Sequence, residues 1–207
     1  MEKSDTQERI LSCGKEYFLK YGFKSAPLRK IVAKVGVTTG AFYGYYANKE
    51  ELFYALTDDA AKGFMDVLHR VLGEMNSIAE EERIFKMCDV YIKRIPEIAE
   101  YLLAHHDEML LILECSQGTK YENFFESLQR SNTENIDESS RHSKNKLNLI
   151  SLDTMELLMS GYFSILKRII IEETDREKMI RSMSEVARVY EAGILTLMQK
   201  SNNYRII

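Results

Sequence analysis

A run of small and aromatic side chains, TTGAFYGYY, follows Gly36 and Val37 and could contact a nucleic-acid surface. The hydroxyl of Thr39 can hydrogen-bond to a base edge, and the methyl of Ala41 can touch a thymine methyl group. The phenol groups of Tyr43 and Tyr45 can lie on sugars and donate to phosphate oxygens. Because the first side chains of the run are short, its backbone could approach a DNA groove closely.

Three basic residues flank this run and could neutralise phosphates. Arg29 and Lys30 stand near the start of one predicted helix, where they could clamp the DNA backbone, with Arg29 better suited to read a base. Lys49 stands at the start of another, where its charge and free backbone N–H groups could together hold a phosphate. The residues predicted to contact DNA are Arg29, Lys30, Thr38, Thr39, Gly40, Ala41, Tyr43, Tyr45 and Lys49.

Two short predicted helices, separated by a glycine turn, carry these residues. Apolar residues recur at the spacing of one helical face, at Leu28, Ile31, Val32 and Val35. Gly36 ends that helix, and Thr38 is a good N-cap for a second helix predicted over Thr39–Tyr46. Gly44 would then lie inside a helix, at a cost of about 1 kcal/mol relative to alanine. This pattern predicts a helix-turn-helix.

Turn and capping signals predict the neighbouring helices. The first helix should begin near Asp5 and end at Gly22. Pro27 suits the first position of the helix that contains Leu28 and Val35, where its missing N–H costs nothing. The pair Asn48-x-x-Glu51 predicts a capping box for a long fourth helix that no linker interrupts.

The stretch from about residue 10 to residue 55 resembles the tetracycline-repressor (TetR) family of bacterial transcriptional regulators. The resemblance rests on Ile10-Leu11, Phe18, Tyr21-Gly22-Phe23, Leu28-Arg29-x-Ile31, Gly36-Val37-Thr38-x-Gly40-x-Phe42-Tyr43 and Asn48-Lys49-Glu50-Glu51-Leu52. It implies an all-helical homodimer in which three helices bind DNA, the fourth leads to an effector-binding body, and the last two pack against their partner copies. Such proteins usually repress transcription and release a double-stranded operator when a small molecule binds.

We therefore predict an all-α protein with a helix-turn-helix domain over residues 1–48 and a helical effector-binding and dimerisation domain over residues 49–207. The charge distribution agrees with this division. The first 50 residues hold nine Lys and Arg against five Asp and Glu, a net charge of +4. The remaining residues carry a net charge of −8, which gives −4 for the whole chain. A basic N-terminal segment followed by an acidic remainder of the chain is typical of a DNA-binding domain followed by a regulatory domain.

Helical patterns continue to the end of the chain. The predicted segments are Arg83–Arg94, a helix starting at Pro96, an apolar segment starting at Asp107, a break at 116–119, a helix over Tyr121–Gln129, an exposed loop at 131–146, and two long helices over Leu152–Glu173 and Arg176–Gln199. These last two helices are apolar over more surface than one small body can cover. They predict a homodimer, which would suit a pseudo-palindromic operator.

An effector pocket needs a few polar groups in an apolar wall. The candidates are Tyr91, His105, Cys115, Tyr121 and Tyr162, and the predicted ligand is a small, largely apolar molecule of unknown identity. Adjacent His105 and His106 cannot share a helix face, so a metal site is not predicted, and no motif predicts a cofactor.

The three cysteines are odd in number and far apart, which favours a reducing cytoplasm and buried, inert thiols over a disulfide framework or a redox sensor. The charged N-terminus and the short apolar runs predict neither a signal peptide nor a membrane span. Two alternatives stay open, a helical adaptor that binds only protein and an enzyme. No nucleophile–base pair, glycine-rich phosphate loop or paired-carboxylate spacing supports the second.

Overall fold

The computed structural model describes residues 5–131 and 151–203, and all regular structure within these residues is α-helical, as predicted. The helices in chain order are α1 (Asp5–Ser25), α2 (Leu28–Val35), α3 (Thr39–Tyr43), α4 (Lys49–Asn76), α5 (Glu80–Ala104), α6 (His106–Glu114), α7 (124–131), α8 (Leu152–Glu172) and α9 (Arg176–Asn203). The predicted exposed loop at 131–146 lies outside the described residues except for Ser131, which is helical. None of the described helices is both long and apolar enough to cross a bilayer.

The chain divides into two compact units. The first contains the residues up to Met65 together with His105–Phe124, and the second contains Asp66–Ala104 and the residues from Phe125 onward. Helix α4 therefore contributes its first part to one unit and its last part to the other. The boundary predicted between residues 48 and 49 is a functional division and stays a prediction.

A single apolar core holds α1, α2, α3, the start of α4 and α6 in the first unit. Phe53 lies at its centre, with its ring centroid 5.3 Å from that of Phe18 and 5.2 Å from that of Phe23, both edge to face. Fully buried side chains around it include Ile10, Ile31, Phe42, Leu52 and Leu111. Each contributes about 1.5–3 kcal/mol on burial. Helices as short as α2 and α3 depend on this packing, because isolated helices of their length are unstable in water.

Two glycines break the helices where the sequence predicts. Gly22 has φ 71°, which interrupts the helical path of α1, and the next N–H, that of Phe23, donates to the carbonyl of Cys115 at 2.7 Å. Gly36 has φ 78° and caps the C-terminal end of α2, donating to the carbonyl of Ala33 at 3.1 Å. A side chain at either position would be strained, because L-residues rarely adopt these angles.

The structure corrects two boundaries near the helix-turn-helix. Pro27 is the N-cap of α2, in an extended conformation, and not its first helical residue. Helix α3 ends at Tyr43 instead of Tyr46, because its one buried turn is followed by a tight turn at Gly44 and Tyr45. Gly44 therefore caps α3, and the cost predicted for glycine inside a helix does not apply.

The prediction that Pro96 starts a new helix is wrong, since α5 runs through it without interruption. A proline inside a helix removes one hydrogen bond and costs about 3 kcal/mol. Burial offsets this cost, because apolar residues on both sides of the proline are buried, namely Ile95, Ile98, Ala99 and Leu102. The helix predicted from Tyr121 begins later, at residue 124, and residues 121–123 form a turn.

The second unit consists mainly of α5, α8 and α9, with α9 packed against the other two. Its buried residues on α8 and α9 are Leu166, Ile170, Met179, Met183 and Ala187. On the surface, Arg94 pairs with Glu74, and the Arg176 guanidinium pairs with Glu100. The predicted long helices over Leu152–Glu173 and Arg176–Gln199 are confirmed within a few residues.

Candidate nucleic-acid interface

Two aromatic anchors orient α3. Phe42 is fully buried and Tyr46 is only 4% exposed, with their ring centroids 5.9 Å apart, as the four-residue spacing predicts. With these rings in the core, the other side of α3 is left exposed. That side presents Thr39, Gly40, Ala41 and Tyr43.

Thr38 starts α3 as predicted. Its Oγ1 accepts a hydrogen bond from the backbone N–H of Ala41 at 3.0 Å, and its own backbone is extended. This bond satisfies one of the N–H groups that the first helical turn leaves without a partner. The cap therefore fixes the residue at which α3 begins.

A shallow surface cleft separates α2 from α3 and brings residues from both helices together. Arg29 of α2 lines it with Thr39 and Tyr43 of α3, above a floor that includes Pro27 and Val32. The sequence predicted these three side chains as DNA contacts from separate arguments, and the fold places them in one cleft. A guanidinium, a hydroxyl and a phenol that line one cleft are suited to phosphate and base contacts.

Tyr45 follows α3 and is 38% exposed, while Tyr43 is 52% exposed. Exposed aromatic side chains that lie near one another can form an apolar patch of the kind that marks an interaction site. Tyr45 lies in the turn after α3 and not on the helix as predicted, so it extends the exposed surface beyond the end of the helix.

The basic residues of the first unit differ in whether their side chains already pair with acidic residues of the same chain. Lys34 pairs with Glu16 at 2.6 Å, and Lys15 lies 3.2 Å from Glu108. In the described part of the chain, neither Arg29 nor Lys30 makes an ion pair or a side-chain hydrogen bond, and both are exposed. These two cations are therefore available to phosphates without first breaking an internal contact.

Lys49 has a structural contact that the sequence did not predict. Its ammonium nitrogen donates to the carbonyl oxygens of Phe23 at 2.7 Å and of Lys24 and Ala26 at 3.2 Å each. It also lies 4.6 Å from the centroid of the Phe23 ring. Partial burial lowers the pKa of Lys49 below its usual value. The carbonyls at the end of a helix attract cations, and this could have suggested the contact. The predicted phosphate contact of Lys49 stays a prediction.

The predicted cap of α4 is present with one difference. Asn48 Oδ1 accepts from the backbone N–H of Glu51 at 2.7 Å, and the Glu51 carboxylate accepts from the N–H of Ala47 instead of that of Asn48. Both bonds hold the chain between α3 and α4 in place.

The candidate effector residues are divided between the units. In the second unit, Tyr91 and Tyr162 are hydrogen-bonded, and the ring of Tyr162 lies 5.0 Å from that of Tyr190, centroid to centroid. Burial raises the pKa of both Tyr91 and Tyr162, so both phenols are neutral O–H groups. Gly161 makes room for this cluster, because a Cβ there would lie 2.9 Å from the Tyr190 hydroxyl oxygen. Tyr190 is not among the effector-binding residues predicted from the sequence.

The other three candidates lie in the first unit. Cys115 is buried, and its carbonyl accepts from Phe23, while Tyr121 donates to Asp58 Oδ1 at 2.7 Å. His105 immediately precedes α6. The five candidates therefore do not form one cluster within either unit. Within the described residues there is no group of three His, Cys, Asp or Glu side chains placed to hold a metal.

A three-helix unit with a capped, outward-facing third helix defines a helix-turn-helix protein. The family model for bacterial regulatory proteins of the tetR family matches residues 10–56. The match covers the stretch in which the sequence resembles this family, so the predicted resemblance is confirmed for these residues.

Two curated relatives match parts of the chain. The HTH-type transcriptional repressor AcnR of Corynebacterium diphtheriae is 34% identical over 62 residues, which cover 30% of this chain and 33% of AcnR. The nucleoid occlusion factor SlmA of Pasteurella multocida is 28% identical over 109 residues, covering 52% of this chain and 53% of SlmA. The chain thus spans about half or less of the length of the curated relatives it matches.

Two solved structures share the fold over most of the chain. A TetR-family transcriptional regulator from Syntrophomonas wolfei is 17% identical with a TM-score of 0.55, covering 91% of this chain and 95% of its own. A transcriptional regulator from Aquifex aeolicus is 20% identical with a TM-score of 0.53, covering 89% and 98%. At these identities the likeness concerns the fold alone, and it confirms the predicted helix-turn-helix domain followed by a helical body.

Proposed function

We propose that this protein is a transcriptional regulator that binds a DNA operator as a homodimer and is released from it by a small, largely apolar molecule. The observation that carries the proposal is the exposed side of α3, with Arg29 of α2 in the same cleft. Repression is the favoured direction of regulation, because AcnR, which matches part of the chain, is named an HTH-type transcriptional repressor.

In this proposal α3 enters the major groove and the neighbouring cations hold the backbone. Thr39 and Ala41 are at the start of α3, where side chains come nearest to base edges. Tyr43 and Lys30 contact sugars and phosphates, which position the protein without reading sequence. Arg29 is long enough to reach from α2 to a base, and an arginine that reaches guanine can bond to it through two nitrogens.

Exposed apolar side chains on α8 and α9 support the homodimer. Leu157 is 74% exposed and Ile165 is 40% exposed on α8, while Val189 is 70% exposed on α9. Large apolar side chains exposed on long helices indicate a surface that another molecule covers. The proposed partner is a second copy of the chain, because a two-fold axis lets the same surface of both copies form the interface. Two copies of α3 related by that axis suit a pseudo-palindromic operator.

The Tyr91–Tyr162–Tyr190 cluster is the proposed polar part of the effector site in the second unit. Neutral phenols among apolar side chains can orient a small molecule that lacks a strong charge. Helix α4 extends from Lys49 to Asn76 and belongs to both units, so a ligand-dependent shift of α4 would change the separation of the two α3 helices in the dimer. A coupling of this kind typically amounts to about 1–3 kcal/mol and acts equally in both directions.

Selection of duplexes from a random library, followed by fluorescence-anisotropy titration at several salt concentrations, tests DNA binding. We expect a pseudo-palindromic consensus and an affinity that falls as salt rises, because phosphate contacts release counterions. Arg29→Ala should weaken binding to the selected site, and Lys178→Ala, which removes an exposed lysine of α9, should not. The proposal fails if no duplex in the library binds the full-length protein in a salt-dependent manner.

Thermal-shift screening of small molecules tests the effector. A hit should raise the unfolding temperature of the wild-type protein, lose that effect in Tyr162→Phe, and lower the affinity for the selected duplex. Ligands that stabilise the protein and leave DNA affinity unchanged would contradict the switch, while leaving the DNA-binding proposal intact.

A further inference from the structure

Lys120 holds its ammonium group between two aromatic rings and a carboxylate in the first unit. The nitrogen lies 4.2 Å from the ring centroid of Tyr54 and 5.0 Å from that of Tyr121. It also lies 2.8 Å from a carboxylate oxygen of Asp58. We call the three surrounding residues, Tyr54, Asp58 and Tyr121, the cation cage.

Contacts among its members hold the cage in shape. The two rings meet edge to face with their centroids 6.0 Å apart, and Tyr121 donates to Asp58 at 2.7 Å. The Tyr54 hydroxyl donates to the Glu50 carboxylate and accepts the backbone N–H of Lys120 at 3.1 Å. The rings and the acid therefore keep their positions through bonds that do not involve the Lys120 ammonium.

A surface cleft adjoins the cage. Asp58 and Tyr121 line it together with Asp59, and its apolar lining comes from Ala61, Met65 and Phe124. Lys62 is also at its edge and adds one positive charge. The cleft thus combines acidic side chains next to the cage with apolar side chains that an alkyl group could contact.

We propose that the cation cage is a binding site for amphiphilic organic cations, whose ammonium head replaces that of Lys120 and whose alkyl chain lies in the adjoining cleft. Two ring faces and one carboxylate are the groups that recognise organic ammonium ions. The structure shows the cage holding such a group, supplied by the chain itself. Lys120 is 48% exposed, so its ammonium can leave for solvent without the rings having to move.

The proposal goes beyond the effector site proposed for the second unit and does not depend on DNA binding. Because the resident lysine is tethered in place, it competes with any external cation at a high effective concentration. Removing the lysine should therefore increase affinity, an outcome that a merely structural ion pair would not produce.

Calorimetric titration of the full-length protein with hexyltrimethylammonium chloride, without DNA, tests the proposal. We expect Lys120→Ala to bind the probe at least about fivefold more tightly than the wild type does. In that background, Asp58→Asn and Tyr121→Leu should each weaken binding by about threefold or more. If Lys120→Ala melts early, Lys120→Gln removes the charge with less loss of side chain.

Two controls separate the cage from general binding. Lys20→Ala removes another ammonium that lies over a ring, that of Tyr21 at 5.3 Å, and should bind the probe as the wild type does. 1-Hexanol, which keeps the alkyl chain without the charge, should bind Lys120→Ala no better than it binds the wild type. Equal affinity of wild type and Lys120→Ala for the cation, or an affinity unaffected by Asp58→Asn, would overturn the proposal.

Discussion

The ammonium nitrogen of Lys49 lies 2.7 Å from the carbonyl oxygen of Phe23, so the first residue of α4 is bonded to the last turn of α1. Two further carbonyls, those of Lys24 and Ala26, complete the contact. This contact fixes the chain just before α2, where Arg29 is located. A side chain predicted only to bind phosphate therefore also helps to hold the helix-turn-helix together.

Lys49→Met should destabilise the protein by about 1–2 kcal/mol, because three carbonyls lose a charged hydrogen-bond donor at a partly buried position. In a chain of this size the unfolding temperature should fall by several degrees. Lys30→Met, which removes an exposed lysine nearby, is the matched control and should leave the unfolding temperature nearly unchanged. Equal melting of wild type and Lys49→Met would show that the three bonds contribute nothing measurable.

Tyr43 and Thr39 should affect DNA binding in different ways. Tyr43→Ala should weaken binding to all duplexes by a similar factor, because sugar and phosphate contacts carry no sequence information. Thr39→Ala should instead change which bases are preferred, at a cost of about 1–3 kcal/mol at the selected site. Repeating the library selection with each variant distinguishes the two, and a consensus altered by Tyr43→Ala alone would contradict these assignments.

The double variant Leu157→Asp/Val189→Asp should be a folded monomer. Both side chains are largely exposed in the single chain, so the charges should cost little within one copy and prevent the apolar surfaces of two copies from meeting. Light scattering at micromolar concentration should report half the mass of the wild type. Lys62→Glu, which changes a charge in the first unit, serves as control and should stay dimeric. A wild-type monomer would refute the dimer prediction.

The three thiols should react slowly in the folded protein. Burial raises the pKa of Cys13 and Cys115, and burial together with nearby Glu191 raises that of Cys88 to about 12. At pH 8 almost no thiolate is therefore present, and the thiolate is the reactive form. A thiol reagent should modify all three cysteines quickly in denaturant and far more slowly without it. Rapid modification of one cysteine in the folded state would contradict this prediction and favour a redox role for that cysteine.

Local signals in the sequence predicted most of the helix-turn-helix. Gly22 and Gly36 mark breaks because glycine adopts positive φ at little cost, and Thr38 caps a helix through a bond to a residue three positions away. The side of α3 that faces the core followed from the four-residue spacing of Phe42 and Tyr46. Each of these features depends on residues within one or two helical turns, which are adjacent in the sequence.

The helical class, the breaks at Gly22 and Gly36 and the exposed side of α3 could therefore be predicted from the sequence, while the exact ends of α1, α2 and α3 could not. Three other features depend on long-range packing: α5 continues through Pro96, Lys49 bonds to the end of α1, and Lys120 enters a cage with Tyr54 and Asp58. These outcomes join residues 23 to 66 positions apart or depend on burial against another helix. The burial and hydrogen bonds at such contacts form only when the chain folds, so neighbouring residues in the sequence do not predict them.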